Sequence, residues 1–210
     1  MSGTSLDGVD IAYCTFSNSE DHWKYDLVHA ETIPYSLSWK NRLSSVEKGT
    51  AFEFASTDIE YGQLLGKLTM DFITKHNLSP DFISSHGHTI YHQPLKKITY
   101  QIGKGSSIAS KTGYPVICDF RSLDVALDGQ GAPLVPIGDR RLFSEFDFCL
   151  NLGGFANISY ENQGERTAFD ICPVNIVLNY LAGRVGKSFD PSGEMAAIEE
   201  TWLCMASASA

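Results

Sequence analysis

With 210 residues, 43% of them hydrophobic and 20% charged, the chain has the composition of an ordinary folded protein, long enough for one large domain or two small ones. Sixteen Lys and Arg against twenty-five Asp and Glu give a formal charge of -9, which argues against broad nucleic-acid binding, because neutralising phosphates needs clustered cations. No run approaches the roughly 18 apolar residues of a membrane span, and the N-terminus carries no signal pattern, so a cytoplasmic protein is expected.

In chain order, residues 8–16 and 23–31 are rich in β-branched and aromatic types around a polar break, which predicts an antiparallel pair. Tyr61, Leu64, Leu65, Leu68 and Phe72 form the stripe of a core-facing helix over 53–77, ended by Pro80. Short apolar segments at 81–85, 98–102 and 115–120, with a helix at 106–111, predict an α/β sheet. Gly129, Gly131, Pro133 and Pro136 mark 124–136 as a long connector. Strands at 146–152 and 155–160 flank Gly153-Gly154, a third strand covers 166–170, and Val174, Val177, Leu178 and Leu181 make a helix stripe with Pro173 in its first turn. Both halves open on a strand, a small-residue turn and a strand. Two similarly built domains follow, 1–135 and 136–210, with 122–146 as the hinge region.

Five cysteines (Cys14, Cys118, Cys149, Cys172, Cys204) without CxxC spacing indicate neither a disulfide framework nor a zinc ribbon, and Cys118 and Cys149 read as small buried hydrophobes. Several segments carry chemistry. Gly3, Thr4, Ser5, Leu6, Asp7, Gly8, Val9 and Asp10 form a turn whose amides and hydroxyls suit an anion and whose carboxylate suits magnesium; the alternative is a surface turn. Asn151, Gly153, Gly154 and Asn157 sit in a second such turn, so that a nucleotide can be gripped by two turns across a cleft. Asp170, at a strand end before a helix, is either a general base or a helix cap. His86 and His88 alternate on a strand end, as metal ligands or as a solvated face. Arg121 is a carboxylate clamp or a partner of Asp119 or Asp124.

Five stretches, 1–10, 85–94 (SHGHTIYHQP), 119–136 (DFRSLDVALDGQGAPLVP), 151–159 (NLGGFANIS) and 169–175, stand in the order and spacing of anhydro-N-acetylmuramic acid kinases. The chain resembles that family over residues 1–196. The resemblance implies an actin-like ATPase (RNase H-like) fold, with mixed sheets flanked by helices in two domains. It implies an ATP-dependent kinase of the phosphotransferase class with an alcohol acceptor, which hydrolytically opens 1,6-anhydro-N-acetylmuramic acid and yields N-acetylmuramic acid 6-phosphate in cell-wall recycling. ATP and Mg2+ are then held by residues 3–10, with Asp7 toward the metal, and by Asn151, Gly153, Gly154 and Asn157. Asp170 matches the catalytic base, and His86 and Arg121 match the sugar side, Arg121 toward the lactyl carboxylate.

Ile171 and Val174 depart from the family's DTGPGN pattern, and His88 stands where glutamine is common. The likeness also implies a strand ahead of the first loop, and an adenosine site and a second carboxylate beyond Ala210, so the second domain is expected to be incomplete. Competing readings are an inactive piece of such a kinase and a His-x-His metal hydrolase. The expected partners are the anhydro-sugar and ATP, with a homodimer as an option and neither nucleic acid nor membrane involved.

Overall fold

The structure is a computed structural model that describes residues 2–3, 6–20, 22–131 and 134–197. The chain divides into two compact units, 1–142 and 143–210.

The first unit opens on β1 (Gly8–Ser19) and β2 (His22–Pro34), followed by α1 (Leu37–Ser45) and α2 (Ala51–His76). Then come β3 (Ile83–Ser85), β4 (His88–Gln93), β5 (Ile98–Ile102), α3 (Gly105–Thr112), β6 (Val116–Cys118), α4 (Ser122–Ala126) and α5 (Leu134–Leu142). β1 and β2 form a long antiparallel ribbon from Gly8↔Pro34 to Ser19↔His22, with a bulge at Tyr13/Cys14 that adds local twist. β3 pairs in parallel with β6, and β4 pairs antiparallel with β5.

α2 starts in a capping box: Thr50 Oγ1 accepts the Glu53 amide and Glu53 accepts the Thr50 amide, satisfying two orphan donors. It ends where Asn77 turns left-handed, φ 52°. Two glycines inside it let α3 approach: a Cβ on Gly62 would lie 2.7 Å from the Lys104 carbonyl oxygen, and one on Gly66 would lie 2.7 Å from Lys111 Cβ. Val9, Tyr35, Leu43, Val46, Tyr61, Leu65, Ile102 and Ile108 form the core of this unit.

The second unit is an antiparallel sheet of β7 (Phe148–Leu152), β8 (Phe155–Asn162) and β9 (Glu165–Pro173), in that order, followed by α6 (Asn175–Arg184) and a short 3-10 turn at Pro191–Gly193. Gln163 and Gly164, both at positive φ, make the two-residue turn between β8 and β9. The large apolar residues of β7, Phe148, Leu150 and Leu152, are exposed.

Several expectations change. The stretch read as a connector carries helices α4 and α5; Pro136 is tolerated because it falls in the first turn of α5, where its absent N–H has no partner to lose. Pro173 closes β9 instead of opening the next helix, which starts at Asn175. Cys118 is exposed and Cys149 half-buried, so neither is the small core hydrophobe that its apolar neighbours suggest. Among the described residues no helix is long and apolar enough to cross a membrane.

Candidate functional site

The residues expected to carry chemistry fall into three groups on the two units. In the first unit, Gly3 and Asp7 are exposed on the loop that leads into β1, and Leu6 turns inward onto the core. The Leu6 amide donates to the Gly3 carbonyl at 3.3 Å, and Leu6 itself is at φ 56°. Thr4 and Ser5 lie outside the described residues. Gly8 is demanded by packing, since a Cβ there would sit 2.4 Å from the Ile33 carbonyl oxygen. Val9 is buried beneath the loop, and exposed Asp10 accepts a 2.6 Å hydrogen bond from Thr32 Oγ1. The exposed carboxylates of Asp7 and Asp10 are hard oxygen donors of the kind Mg2+ takes.

Beneath this loop runs a buried polar chain. Tyr35 Oη donates to Ser2 Oγ at 2.7 Å, Tyr61 Oη lies 2.5 Å from Tyr35 Oη, and Ser2 Oγ lies 3.0 Å from His88 Nδ1. Each hydroxyl has one proton. With Tyr35 donating to Ser2, Tyr61 must donate to Tyr35, and the Ser2 proton is left for an unprotonated His88 Nδ1. Burial raises the pKa values of both tyrosines and lowers that of His88, so all four groups stay neutral. Ser2 also forms a parallel backbone bridge with His88. None of this network was legible as a motif, because Ser2, Tyr35, Tyr61 and His88 are far apart in the chain.

The second group joins His86 to Arg121. Arg121 Nε donates to His86 Nε2 at 2.9 Å, which makes Nε2 an acceptor and places the ring proton on Nδ1, 3.2 Å from the Gly87 carbonyl. Burial, and then the Arg121 charge, hold His86 below its ordinary value. Arg121 Nη1 donates to the Gly131 carbonyl at 2.7 Å. The acids suggested as its partners do other work: Asp119 accepts the Ser122 amide at 3.1 Å, and Asp124 accepts the Gly131 amide at 2.6 Å. With both ring nitrogens of His86 engaged and His88 tied to Ser2, the two imidazoles do not converge on an ion. Among the described residues no group of three or more His, Cys, Asp or Glu is placed to hold a metal.

The third group lies in the second unit. Asn151 on β7 is opposite Asn157 on β8, and Asn157 is opposite Asp170 on β9, so the register puts the three on one face in one row across the sheet. A bulge between Ala156 and Asn157 sets this alignment by leaving Ile171 unpaired. Asp170 is exposed and does not cap α6, whose N-cap is Val174 without a side-chain bond.

The turn beside this row is pinned by the start of α6. The Val174 amide donates to the Gly154 carbonyl at 2.9 Å and the Asn175 amide to the Gly153 carbonyl at 3.2 Å. Neither glycine has positive φ, so backbone conformation does not require them. A Cβ on Gly153 would make ordinary van der Waals contact, at 3.7 Å from the Phe155 carbonyl oxygen and 3.8 Å from Asn151 Nδ2.

The family model of anhydro-N-acetylmuramic acid kinase matches residues 1–202. The anhydro-N-acetylmuramic acid kinase of Pasteurella multocida is 36% identical over 209 residues, covering 93% of this chain and 54% of that protein. The one from Paramagnetospirillum magneticum is 36% identical over 205 residues, covering 94% of this chain and 57% of that protein. The one from Bacillus cereus is 34% identical over 215 residues, covering 93% and 56%. The chain spans about half the length of the curated relatives it matches.

Proposed function

Since the chain belongs to the anhydro-N-acetylmuramic acid kinase family, we propose that its residues serve an ATP-dependent kinase that opens 1,6-anhydro-N-acetylmuramic acid with water and phosphorylates it. The product is N-acetylmuramic acid 6-phosphate, formed in cytoplasmic cell-wall recycling. The observation that carries this reading is the cross-strand row of Asn151, Asn157 and Asp170 beside the Gly153-Gly154 turn, which the start of α6 pins.

In this scheme the water oxygen bonds to the anomeric carbon, the bond from that carbon to O6 breaks, and O6 takes the γ-phosphoryl group while ADP leaves. The water proton goes to the Asp170 carboxylate. An exposed carboxylate suits that task, because water needs a base whereas phosphoryl transfer itself needs alignment and charge stabilisation. Asn151 and Asn157 hold the row in register and offer amide donors to phosphate oxygens beside Gly153 and Gly154. Residues 3–10 form the first phosphate loop. Asp7 is the residue that would hold Mg2+, which supplies neutralisation of phosphate charge when bound. Arg121, oriented by His86 and Gly131, presents its remaining N–H groups to the lactyl carboxylate, and its charge makes that contact charge-assisted.

We read the two units, 1–142 and 143–210, as actin-like domains, with the boundary after Leu142 instead of the expected one after residue 135. The partners are ATP and the anhydro-sugar. Phosphate transfer from labelled ATP to the anhydro-sugar tests the reading. Asp170→Asn is expected to lower kcat by about 10²- to 10⁴-fold while ATP affinity, measured by calorimetry, stays the same. An Asp170→Asn protein with undiminished turnover removes the proposed base, and a chain without ATP affinity favours the reading of an inactive piece of such a kinase.

A further inference from the structure

Arg121 is the N-cap of α4, and its guanidinium is held at two nitrogens: Nε donates to His86 Nε2 at 2.9 Å and Nη1 to the Gly131 carbonyl at 2.7 Å. Both acceptors are neutral, and among the described residues no carboxylate forms an ion pair with Arg121. The side chain is oriented and keeps its charge. Gly131 needs help to stay where it is. It is buried at φ 64°, a conformation that side chains rarely adopt, and a Cβ there would lie 2.6 Å from Val125 Cγ2. Its amide donates to Asp124 Oδ2 at 2.6 Å. The main-chain carbonyl of Asp124 accepts the Gly129 amide at 2.7 Å, and a Cβ on Gly129 would lie 2.2 Å from Asp124 Oδ2. Asp124 thus holds this backbone twice, through its carbonyl at Gly129 and through its carboxylate at Gly131.

From this geometry we propose that Asp124 is the positioning residue for Arg121: its carboxylate fixes Gly131, and the Gly131 carbonyl fixes Nη1, so that the remaining N–H groups meet a ligand carboxylate in one orientation. The link from Asp124 to Arg121 rests on the structure alone; its effect on the sugar rests on the reading of Arg121 as the lactyl clamp. The indirect route has a physical reason. A carboxylate placed directly on Arg121 would orient it as well, but would compete with a carboxylate ligand for the same donors and the same charge. A glycine backbone between the two transmits the orientation and leaves the charge to the ligand. The anchor is firm because an ionised acceptor makes a stronger hydrogen bond than a neutral one.

Two variants separate the link from general stability: Asp124→Ala, which removes the acceptor, and Asp124→Asn, which keeps an oxygen for the Gly131 amide. Phenylglyoxal, an arginine-selective dicarbonyl, condenses across the two terminal nitrogens of a guanidinium, so an engaged Nη1 resists it. Its rate at Arg121 in the full 210-residue chain, followed by peptide mass spectrometry, reads the link directly. Asp124→Ala is expected to speed modification of Arg121 by about tenfold, the worth of one hydrogen bond, and Asp124→Asn by about threefold or less. Arg42, held on α1 by Thr57 and Glu60, is the internal control and is expected to react as in the parent. Calorimetry reads the consequence with two sugars, 1,6-anhydro-N-acetylmuramic acid and 1,6-anhydro-N-acetylglucosamine, which lacks the lactyl group. Asp124→Ala is expected to raise the Kd of the first by about tenfold and to leave that of the second unchanged.

Unchanged modification of Arg121 in Asp124→Ala overturns the link. So does acceleration shared equally by Arg42, which marks a general loosening of the unit, and so does an Asp124→Asn chain as reactive as Asp124→Ala. Equal weakening of both sugars overturns the positioning role, because a merely structural residue acts without regard to the lactyl group. Accelerated modification in a chain whose parent form binds neither sugar upholds the link and counts against the sugar-side assignment of Arg121 instead.

Discussion

His88 stands where a metal ligand or a solvated strand face was expected, and it does neither task. Its ring is 5% exposed, edge-on to Tyr61 and hydrogen-bonded to Ser2. Burial holds it below its ordinary value of 6.5, with the neighbouring His86 adding to the shift. His86 is lowered as well, with Arg121 adding to its own burial. Among the described residues, Ser2, Tyr61 and Arg121 contact this pair; the first two are neutral, and no carboxylate figures among the causes of either shift. The unfolded chain therefore binds protons below about pH 6.5 that the folded chain refuses, so stability falls as the pH drops from there toward the depressed folded values. Above that window these two groups add no pH dependence. His88→Asn keeps an acceptor for the Ser2 hydroxyl but cannot titrate. Chemical denaturation at a series of pH values is expected to show a shallower loss of stability between pH 6.5 and 5 for this variant, and a slope equal to the parent's contradicts the assignment.

At the scale of elements, the two glycine-bearing turns look alike as sequence and differ in why they hold glycine. At Gly8 the backbone of β2 occupies the place of a side chain, at 2.4 Å from the missing Cβ. At Gly153 a side chain would meet only ordinary contacts, at 3.7 Å and beyond. Gly8→Ala is accordingly expected to destabilise the chain by roughly 2 kcal/mol through backbone displacement. Gly153→Ala is expected to leave the melting temperature unchanged and to weaken ATP binding severalfold, because the methyl takes up space above the turn. Thermal melts and ATP titrations separate the two, and a strongly destabilised Gly153→Ala protein would deny that a methyl is tolerated there.

What the sequence disclosed follows the same line between local and distant causes. The stripe of α2 and the strands around Gly153 are set by neighbouring residues, and their positions were legible. α5 was hidden by Pro136, which reads as a breaker until its place in the first turn is known. The Tyr35–Ser2–His88 link and the Asn151–Asn157–Asp170 row depend on pairing register, and the latter on a single bulge, so no local pattern announces either.

At the scale of the whole molecule, the two units differ in how much they bury. The hydrophobic cluster centred on Tyr61, Ile102 and Ile108 belongs to the first unit entirely. Among the described residues of the second, Ala156 and Ala182 are the buried apolar side chains, while Phe148 is 62% exposed and Leu152 58%. Fully burying a large apolar side chain contributes about 1.5–3 kcal/mol, and fixing each residue's backbone costs about 1–2 kcal/mol, so a unit must bury several such side chains to hold itself together. The first does so with a tyrosine and two isoleucines at its centre; the second leaves its largest apolar groups in water. Expressed separately, 1–142 is expected to melt cooperatively with the circular dichroism of a helical α/β protein. Residues 143–210 are expected to show no cooperative transition and to bind a hydrophobic dye through the Phe148, Leu150 and Leu152 face. A sharp melt from the 143–210 fragment would mean that its hydrogen-bonded sheet and α6 suffice without apolar burial, against the usual balance of terms in small domains.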